Sequence, residues 1–570
     1  MIKTFNTPLL SKRFLFGFII LFSIINLLQA YLTGLHPDEA YYWVYAQFLD
    51  WGYFDHPPVV ALFIKGGVSI FQNTLGLRLF TVLSFALSIY VLWLIVKNYL
   101  ANTWLFILFV SSILIFHVYS FITTPDVPLL LFSVLFLYYY QQYLKEDKIK
   151  WALTLGLICA GLMYSKYHGV LLILFILLSN FGLFKRKSFY LILFIAVTLC
   201  LPHLYWQYLN GFPSFYYHLI DRSASPYRFD YTSQYFLDQV LMMGPLVGWL
   251  LFYYGIKLKV KDDLFIKGLK FVVFGIFIFF FLSTFKGRVQ AQWPLIEFIA
   301  LFILAYIYAG NHIHHFTKYK WLFGVNIFLI LLARIIIMGA IPPLNQIKFV
   351  AGFQNYDVWA SQIDSVAKGK PVLFQDGFQD VSHYNFYTQT TKGVAYNSIH
   401  YRQTQYDLWP LEDSIQGKDV LLVSRPEGYL KTGINIQTVK GLYNLKRIND
   451  VRYYPKISLE PLNFSQEWKK NEERIVTFEI KNPYAKSVHF SNENQKWDCS
   501  LQYGFILEGK LIKLENVKTK IPNLKALVSN FVKIKIKAPQ KTGDYKLFLS
   551  IKTEPFAGTR NSKMITIKVK

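Results

Sequence analysis

The chain has only three cysteines, Cys159, Cys200 and Cys499, and two of them lie in apolar runs, so no disulfide framework or metal-spaced thiol set is present. Charge is scarce too. Of 570 residues, 16% are charged against 54% hydrophobic and 18% aromatic, which excludes an ordinary soluble protein of this length. Acidic residues are the rarer sign, 34 against 59 basic, giving a formal net charge of +25. That excess does not point to nucleic acid, because the basic residues form short clusters beside apolar spans, as cytoplasmic loops do. Internal repeats and low-complexity tracts are also missing from the sequence.

What is present is a succession of apolar segments, each close to the roughly 20 residues that cross a bilayer, near 14–33, 77–96, 103–121, 127–143, 151–165, 169–184, 188–209, 239–256, 270–285, 294–310 and 321–341. The pattern predicts a mainly α, polytopic membrane protein with about eleven spans. Residues 5–30 look like a secretory signal, but the run is long and further spans follow, so a retained first helix is expected. Alternate connections carry Lys97, then Lys145, Lys148 and Lys150, then Lys185, Arg186 and Lys187, then Lys257, Lys259, Lys261, Lys267 and Lys270, then Lys318 and Lys320. The positive-inside rule makes these and the N-terminus cytoplasmic. Residues 345–570 then fall on the external face. There, 345–455 read as a small α/β domain with strands at Pro371–Gln375 and Asp419–Ser424, and 456–570 as a β-sandwich with alternating runs at Arg474–Ile480 and Val532–Lys537.

The chemically distinctive stretches all lie on external connections. Foremost is His36–Pro58, HPDEAYYWVYAQFLDWGYFDHPP, where Asp38, Glu39, Asp55 and His56 stand among aromatic rings. Pro37 followed by two carboxylates is also an ordinary helix start, so for Asp38 and Glu39 a cap and chemistry are equally supported by pattern. Tyr41, Tyr45 and Leu49 recur at helical spacing, as in a helix lying in the interface plane. Asp55 reads either as a cap for Val59–Phe71 or as part of a rigid presenting loop before Pro57 and Pro58. Asp126, in Thr124-Pro125-Asp126-Val127-Pro128, suits a cap as well as it suits chemistry.

Later connections supply cations. Lys166, with Tyr167 and His168, interrupts continuous apolar sequence, where a charge is costly unless used; snorkelling is the alternative. Lys286 and Arg288 run against the positive-inside bias and so suggest anion binding. The 210–238 connection, carrying Arg222, is long enough for a lid, although a solvated loop explains it slightly better. His312, His314 and His315 fall among cytoplasmic lysines and read as a polar loop. Carboxylates on the first loops and cations on later ones suit sugar transfer from a lipid phosphate: a carboxylate accepts the acceptor hydroxyl's proton while cations hold the leaving phosphate.

The motifs His36-Pro37-Asp38-Glu39-Ala40-Tyr41-Tyr42, Tyr53-Phe54-Asp55-His56-Pro57-Pro58, Thr124-Pro125-Asp126-Val127-Pro128 and Gly161–Tyr167 resemble the bacterial branch of the protein O-mannosyltransferase-like superfamily, which includes the lipid A aminoarabinose transferase. The resemblance implies a GT-C fold over residues 1–341 and an inner-membrane enzyme that uses a polyprenyl-phosphate sugar with inversion. It assigns Asp38 as the catalytic acidic residue with Glu39 beside it, Asp126 as a second acid and Lys166 as a phosphate contact. Gln292-Trp293-Pro294 departs from the histidine common before Trp-Pro in relatives. A divalent metal at Asp38, Glu39 or His56 is a further implication. The acceptor, a lipid, glycan or protein outside the cytoplasm, is not fixed. A lipid or solute transporter is the competing reading; it calls for midplane charges and repeat symmetry.

Overall fold

A computed structural model describes residues 8–221, 227–428 and 433–570. The chain divides into two compact units, Met1–Gln354 and Asn355–Lys570.

The first unit is helical: α1 (Pro8–Leu32), α2 (Pro37–Gln47), α3 (Val59–Val68), α4 (Thr74–Val96), α5 (Thr103–Ser112), α6 (Leu114–Val118), α7 (Asp126–Lys145), α8 (Ile149–Ser165), α9 (Gly169–Ser179), α10 (Lys187–Leu209), α11 (Pro213–Tyr216), α12 (Phe229–Met243), α13 (Gly248–Lys257), α14 (Leu264–Ser283), α15 (Leu295–Asn311), α16 (Ile313–Ile337) and α17 (Lys348–Ala351). All eleven apolar segments of the sequence are built mainly of helix. Among the described residues, however, only α1, α4, α7, α10, α14 and α16 are both long and apolar enough to span, with α12 and α13 a seventh if counted as one helix bent by 89°. α5, α8, α9 and α15 are shorter, at 10 to 17 residues. This is a multi-pass membrane protein.

Two segments expected to be continuous are broken. The 103–121 run breaks at Ile113, whose backbone is extended, and the 239–256 run breaks at Gly244, whose φ of 137° a side chain would strain. One residue repairs both. Asn326 of α16 accepts the Leu246 N–H at 3.0 Å and donates to the Ser112 carbonyl at 2.8 Å. Elsewhere helix starts are capped conventionally, by Asn73, Asn102 and Asp263. α3 and α4 pack backbone to backbone, since a Cβ on Gly67 would lie 1.9 Å from the Gly76 carbonyl oxygen.

The second unit begins with α18 (Tyr356–Ala367) and α19 (Gln379–Tyr387) around a sheet of order β2-β1-β3-β5-β4, formed by β1 (Val372–Gln375), β2 (Gly393–Tyr396), β3 (Val420–Ser424), β4 (Ile434–Thr438) and β5 (Gly441–Ile448). β1, β2 and β3 are parallel, and β5 returns antiparallel to β3. A β-sandwich follows. Its smaller sheet pairs β6 (Ser458–Pro461), β8 (Glu473–Lys481) and β11 (Ser529–Lys537); its larger one holds β7 (Glu467–Trp468), β9 (Cys499–Leu507), β10 (Lys510–Asn516), β12 (Gly543–Thr553), β13 (Thr559–Arg560) and β14 (Ile565–Val569). Inward residues such as Val476, Phe478, Ile534 and Ile536 meet Leu501, Phe505 and Leu547 in one core, which is why those strands alternate in sequence.

Candidate active site

The two adjacent acids at the start of α2 have different fates. Pro37 opens the helix; the His36 ring accepts the Asp38 N–H at 3.3 Å, and Glu39 Oε2 accepts the His36 N–H at 2.9 Å. Glu39 is then fully buried against Arg78 of α4, whose Nε and a terminal nitrogen reach Oε1 and Oε2 at 2.8 and 2.6 Å, and Oε1 also accepts the Thr123 N–H at 2.8 Å. Arg78 spends its remaining donors on the Ala30, Thr33 and Gly34 carbonyls. Glu39, expected beside Asp38 in the chemistry, thus locks α2, α4, the end of α1 and the Thr123–Asp126 turn together. Asp38 is half-exposed, with the His36 ring 3.8 Å away.

α2 corrects a second expectation. It has no exposed polar face over most of its length: Glu39 through Ala46 are all buried. Their rings organise the next acid instead. The Tyr41 and Tyr45 hydroxyls donate to Asp55 Oδ2 at 2.8 and 3.2 Å, and Asp55 does not cap α3, whose N-cap is Pro58. His56 packs its ring on Tyr42 and His218 at 5.8 and 6.1 Å, while His218 Nε2 donates to the Asp55 carbonyl at 2.8 Å. Burial holds the Tyr42 phenol well above its ordinary range, and Asp38, Asp55 and Asp126 all push it the same way. Three carboxylates thus act electrostatically on one phenol.

Asp126 is the first residue of α7, but its side chain makes no helix cap. Its Oδ1 accepts Lys166 Nζ at 2.7 Å, with both side chains buried. Lys166 sits at the break between α8 and α9 in extended backbone, which turns its ammonium inward; snorkelling does not occur. Next to it runs a relay: Gln207 Nε2 donates to the Tyr167 hydroxyl (3.0 Å), that hydroxyl bonds His203 Nε2 (3.1 Å), and His203 Nδ1 bonds the Trp51 carbonyl (2.7 Å). The carbonyl requires a donor, so His203 carries its proton on Nδ1 and accepts from Tyr167. Gln207 also reaches Ser214, which donates to the Tyr53 carbonyl.

The remaining expectations divide. Arg222 lies outside the described residues. Lys286 and Arg288 are exposed and enter no ion pair among the described residues, although Trp293 of the same connection rests on His168 with ring centres 5.5 Å apart. The 210–238 connection is largely helix, with α11 and most of the first three turns of α12 inside it. No three His, Cys, Asp or Glu side chains among the described residues converge as a metal site requires, and with Glu39 committed to Arg78, the set Asp38, Glu39 and His56 does not fit a divalent ion. Sequence reasoning missed Arg78, His203, Gln207 and His218. For Arg78 a signal existed, the single charge in the 77–96 run; the others carried none.

The comparisons with known proteins agree with this architecture. Residues 55–206 match the family model described as dolichyl-phosphate-mannose-protein mannosyltransferase. No curated protein sequence matches. Two crystal structures of ArnT from Cupriavidus metallidurans, one in the apo state and one bound to undecaprenyl phosphate, superpose with a TM-score of 0.55 each. The identities are 14% and 15%, covering 75% of this chain and 97% and 98% of those chains. The fold is that of these membrane proteins, a GT-C helical unit followed by a sheet-rich region.

Proposed function

We propose that the protein is a glycosyltransferase that moves a sugar from a polyprenyl-phosphate donor to an acceptor outside the cytoplasm. The observation that carries this reading is the buried Lys166 bonded to Asp126 at 2.7 Å, in a unit of GT-C fold. Asp38 acts as base. It accepts the proton of an acceptor hydroxyl as that oxygen attacks the anomeric carbon; the bond from that carbon to the phosphate oxygen breaks, and its electron pair leaves with the phosphate. One displacement inverts the anomeric configuration. The Lys166 ammonium, with N–H groups beyond the one spent on Asp126, stabilises the departing phosphate, and Asp126 positions it. Asp55, His56 and Tyr167 line the substrate, and Glu39 acts as a positioning residue through Arg78. Lys286 and Arg288 contact the donor phosphate from a later connection, and the sequence assigns Arg222, outside the described residues, the same role. In this reading the protein lies in the bacterial inner membrane, with its acidic connections and second unit outside.

Detergent-purified protein, radiolabelled polyprenyl-phosphate sugars and a membrane extract as acceptor test the reading. Label transfer by wild type and its loss in Asp38→Asn, with the fold intact, supports it. Transfer by neither protein, together with lipid movement in proteoliposomes, overturns it.

A further inference from the structure

The pole of the membrane unit where α13 ends and α16 begins carries a second constellation that glycosyl transfer does not use. α13 ends at Lys257, followed by Lys259 and Lys261, while α16 contributes Lys318 and Lys320 in its first turns. None of these five enters an ion pair among the described residues. The acids nearby do not balance them. Asp263 is taken up by capping α14 and by the Tyr99 hydroxyl at 2.9 Å, and Asp262 is a single exposed carboxylate. Lys270 stands apart, buried and donating to the Gly255 and Ile256 carbonyls at the end of α13.

The positive-inside rule alone explains lysines here, but not the aromatic scaffold that stands beside them. His315 of α16 is bonded through Nδ1 to the Tyr254 hydroxyl at 3.2 Å and packed by Tyr253 at 5.8 Å and Tyr319 at 5.3 Å between ring centres. Tyr308 of α15 joins Tyr254 at 5.3 Å, and Lys257 lies over the Tyr253 ring at 5.8 Å. On the outer surface of the same helices Trp249, Tyr253 and Trp321 are exposed, with Trp249 against Tyr319. Exposed tryptophans mark the depth where acyl chains meet headgroups, and unpaired lysines beside them favour a negative headgroup.

We infer that this pole is a binding surface for an anionic phospholipid, its headgroup drawn by Lys257, Lys318 and Lys320 around the His315 scaffold and its chains lying on Trp249 and Trp321. A free phosphate would use the lysines and leave the tryptophans without a role. The inference is independent of the reaction at the acidic pole.

Native mass spectrometry of the full chain, with phosphatidylglycerol, cardiolipin or phosphatidylcholine added, tests it. Wild type should retain the anionic lipids over phosphatidylcholine, and K257Q/K318Q/K320Q should lose about tenfold or more of that preference. A charge-matched control, K145Q/K148Q/K150Q on another basic connection, should keep it. Glycerophosphoglycerol, the headgroup without chains, should not compete. Equal retention of phosphatidylcholine, equal loss in the control, or competition by the bare headgroup would each overturn the assignment. Unchanged thermal unfolding in phosphatidylcholine shows that the variants fold.

Discussion

Glu39 and Arg78 form a closed fork-to-fork pair, Nε to Oε1 at 2.8 Å and a terminal nitrogen to Oε2 at 2.6 Å, with neither side chain exposed. Breaking one partner of such a pair leaves an uncompensated buried charge, at about 3–5 kcal/mol. Arg78→Met should therefore lower the unfolding temperature strongly. Asp38→Asn, at a half-exposed position one residue from Glu39, should change stability by about 0.5 kcal/mol or less and remove sugar transfer. Thermal unfolding and a transfer assay on both variants check this; the opposite pattern would exchange the roles of the two acids.

Lys166→Met removes the buried ammonium that meets Asp126 at 2.7 Å. If that ammonium stabilises the leaving phosphate, turnover should fall by about 10²- to 10³-fold. Binding of polyprenyl phosphate should weaken with it. Retained phosphate binding in this variant would restrict Lys166 to pairing with Asp126.

Asn326→Leu leaves the Leu246 N–H and the Ser112 carbonyl buried without their partner. Each unsatisfied group costs about 1–3 kcal/mol, so the variant should be among the least stable at any single position of α16. Unfolding in detergent measures it, and a cost near zero would mean that water replaces the amide.

Glu297 of α15 is fully buried, and neither carboxylate oxygen has a hydrogen-bond partner among the described residues. Replacing an unpaired buried polar group by an apolar one of similar shape is neutral or stabilising. Glu297→Leu should unfold at the same temperature as wild type or higher. A marked loss of stability would reveal a partner for the carboxyl.

In the second unit, burial pushes the Asp407 carboxyl up to about 6 from 3.8, against the hydrogen bonds it accepts from Thr404 and Asn397. The folded carboxyl therefore binds its proton more tightly than the unfolded one. That contribution to stability is complete below the unfolded value and is lost as pH rises through about 6. The unit should unfold at a lower temperature at about pH 7.5 than at about pH 5, and Asp407→Asn should reduce the difference. A pH profile identical to wild type would count against the assignment.

Much of the architecture was legible because it rests on local pattern. Apolar runs gave the helices, and alternation at Arg474–Ile480 and Val532–Lys537 gave β8 and β11, which pair antiparallel with Val532 opposite Phe478. The gathering of the acidic motifs at one pole was legible from charge bias. What was not legible depended on partners distant in sequence. That Glu39 is buried in an ion pair while Asp38 is half-exposed depends on Arg78, 39 residues beyond Glu39, and the inward turn of Lys166 on Asp126, 40 residues before it. His203 and Gln207 were hidden in a sequence that reads as an ordinary span, because a helix face is invisible without its neighbours.

The double role of Asn326 also sets an order in time. Its partners, the Ser112 carbonyl and the Leu246 N–H, precede it by 214 and 80 residues. Chains emerge from the ribosome N-terminus first, so both interrupted helices enter the bilayer before the side chain that completes them has been made. Until α16 arrives, the nascent protein carries two backbone groups without the side chain that later pairs them. The last long helix of the membrane unit is thus the one that finishes two earlier ones, and truncation before residue 326 should leave a product recognised as incomplete by the cell's membrane proteases.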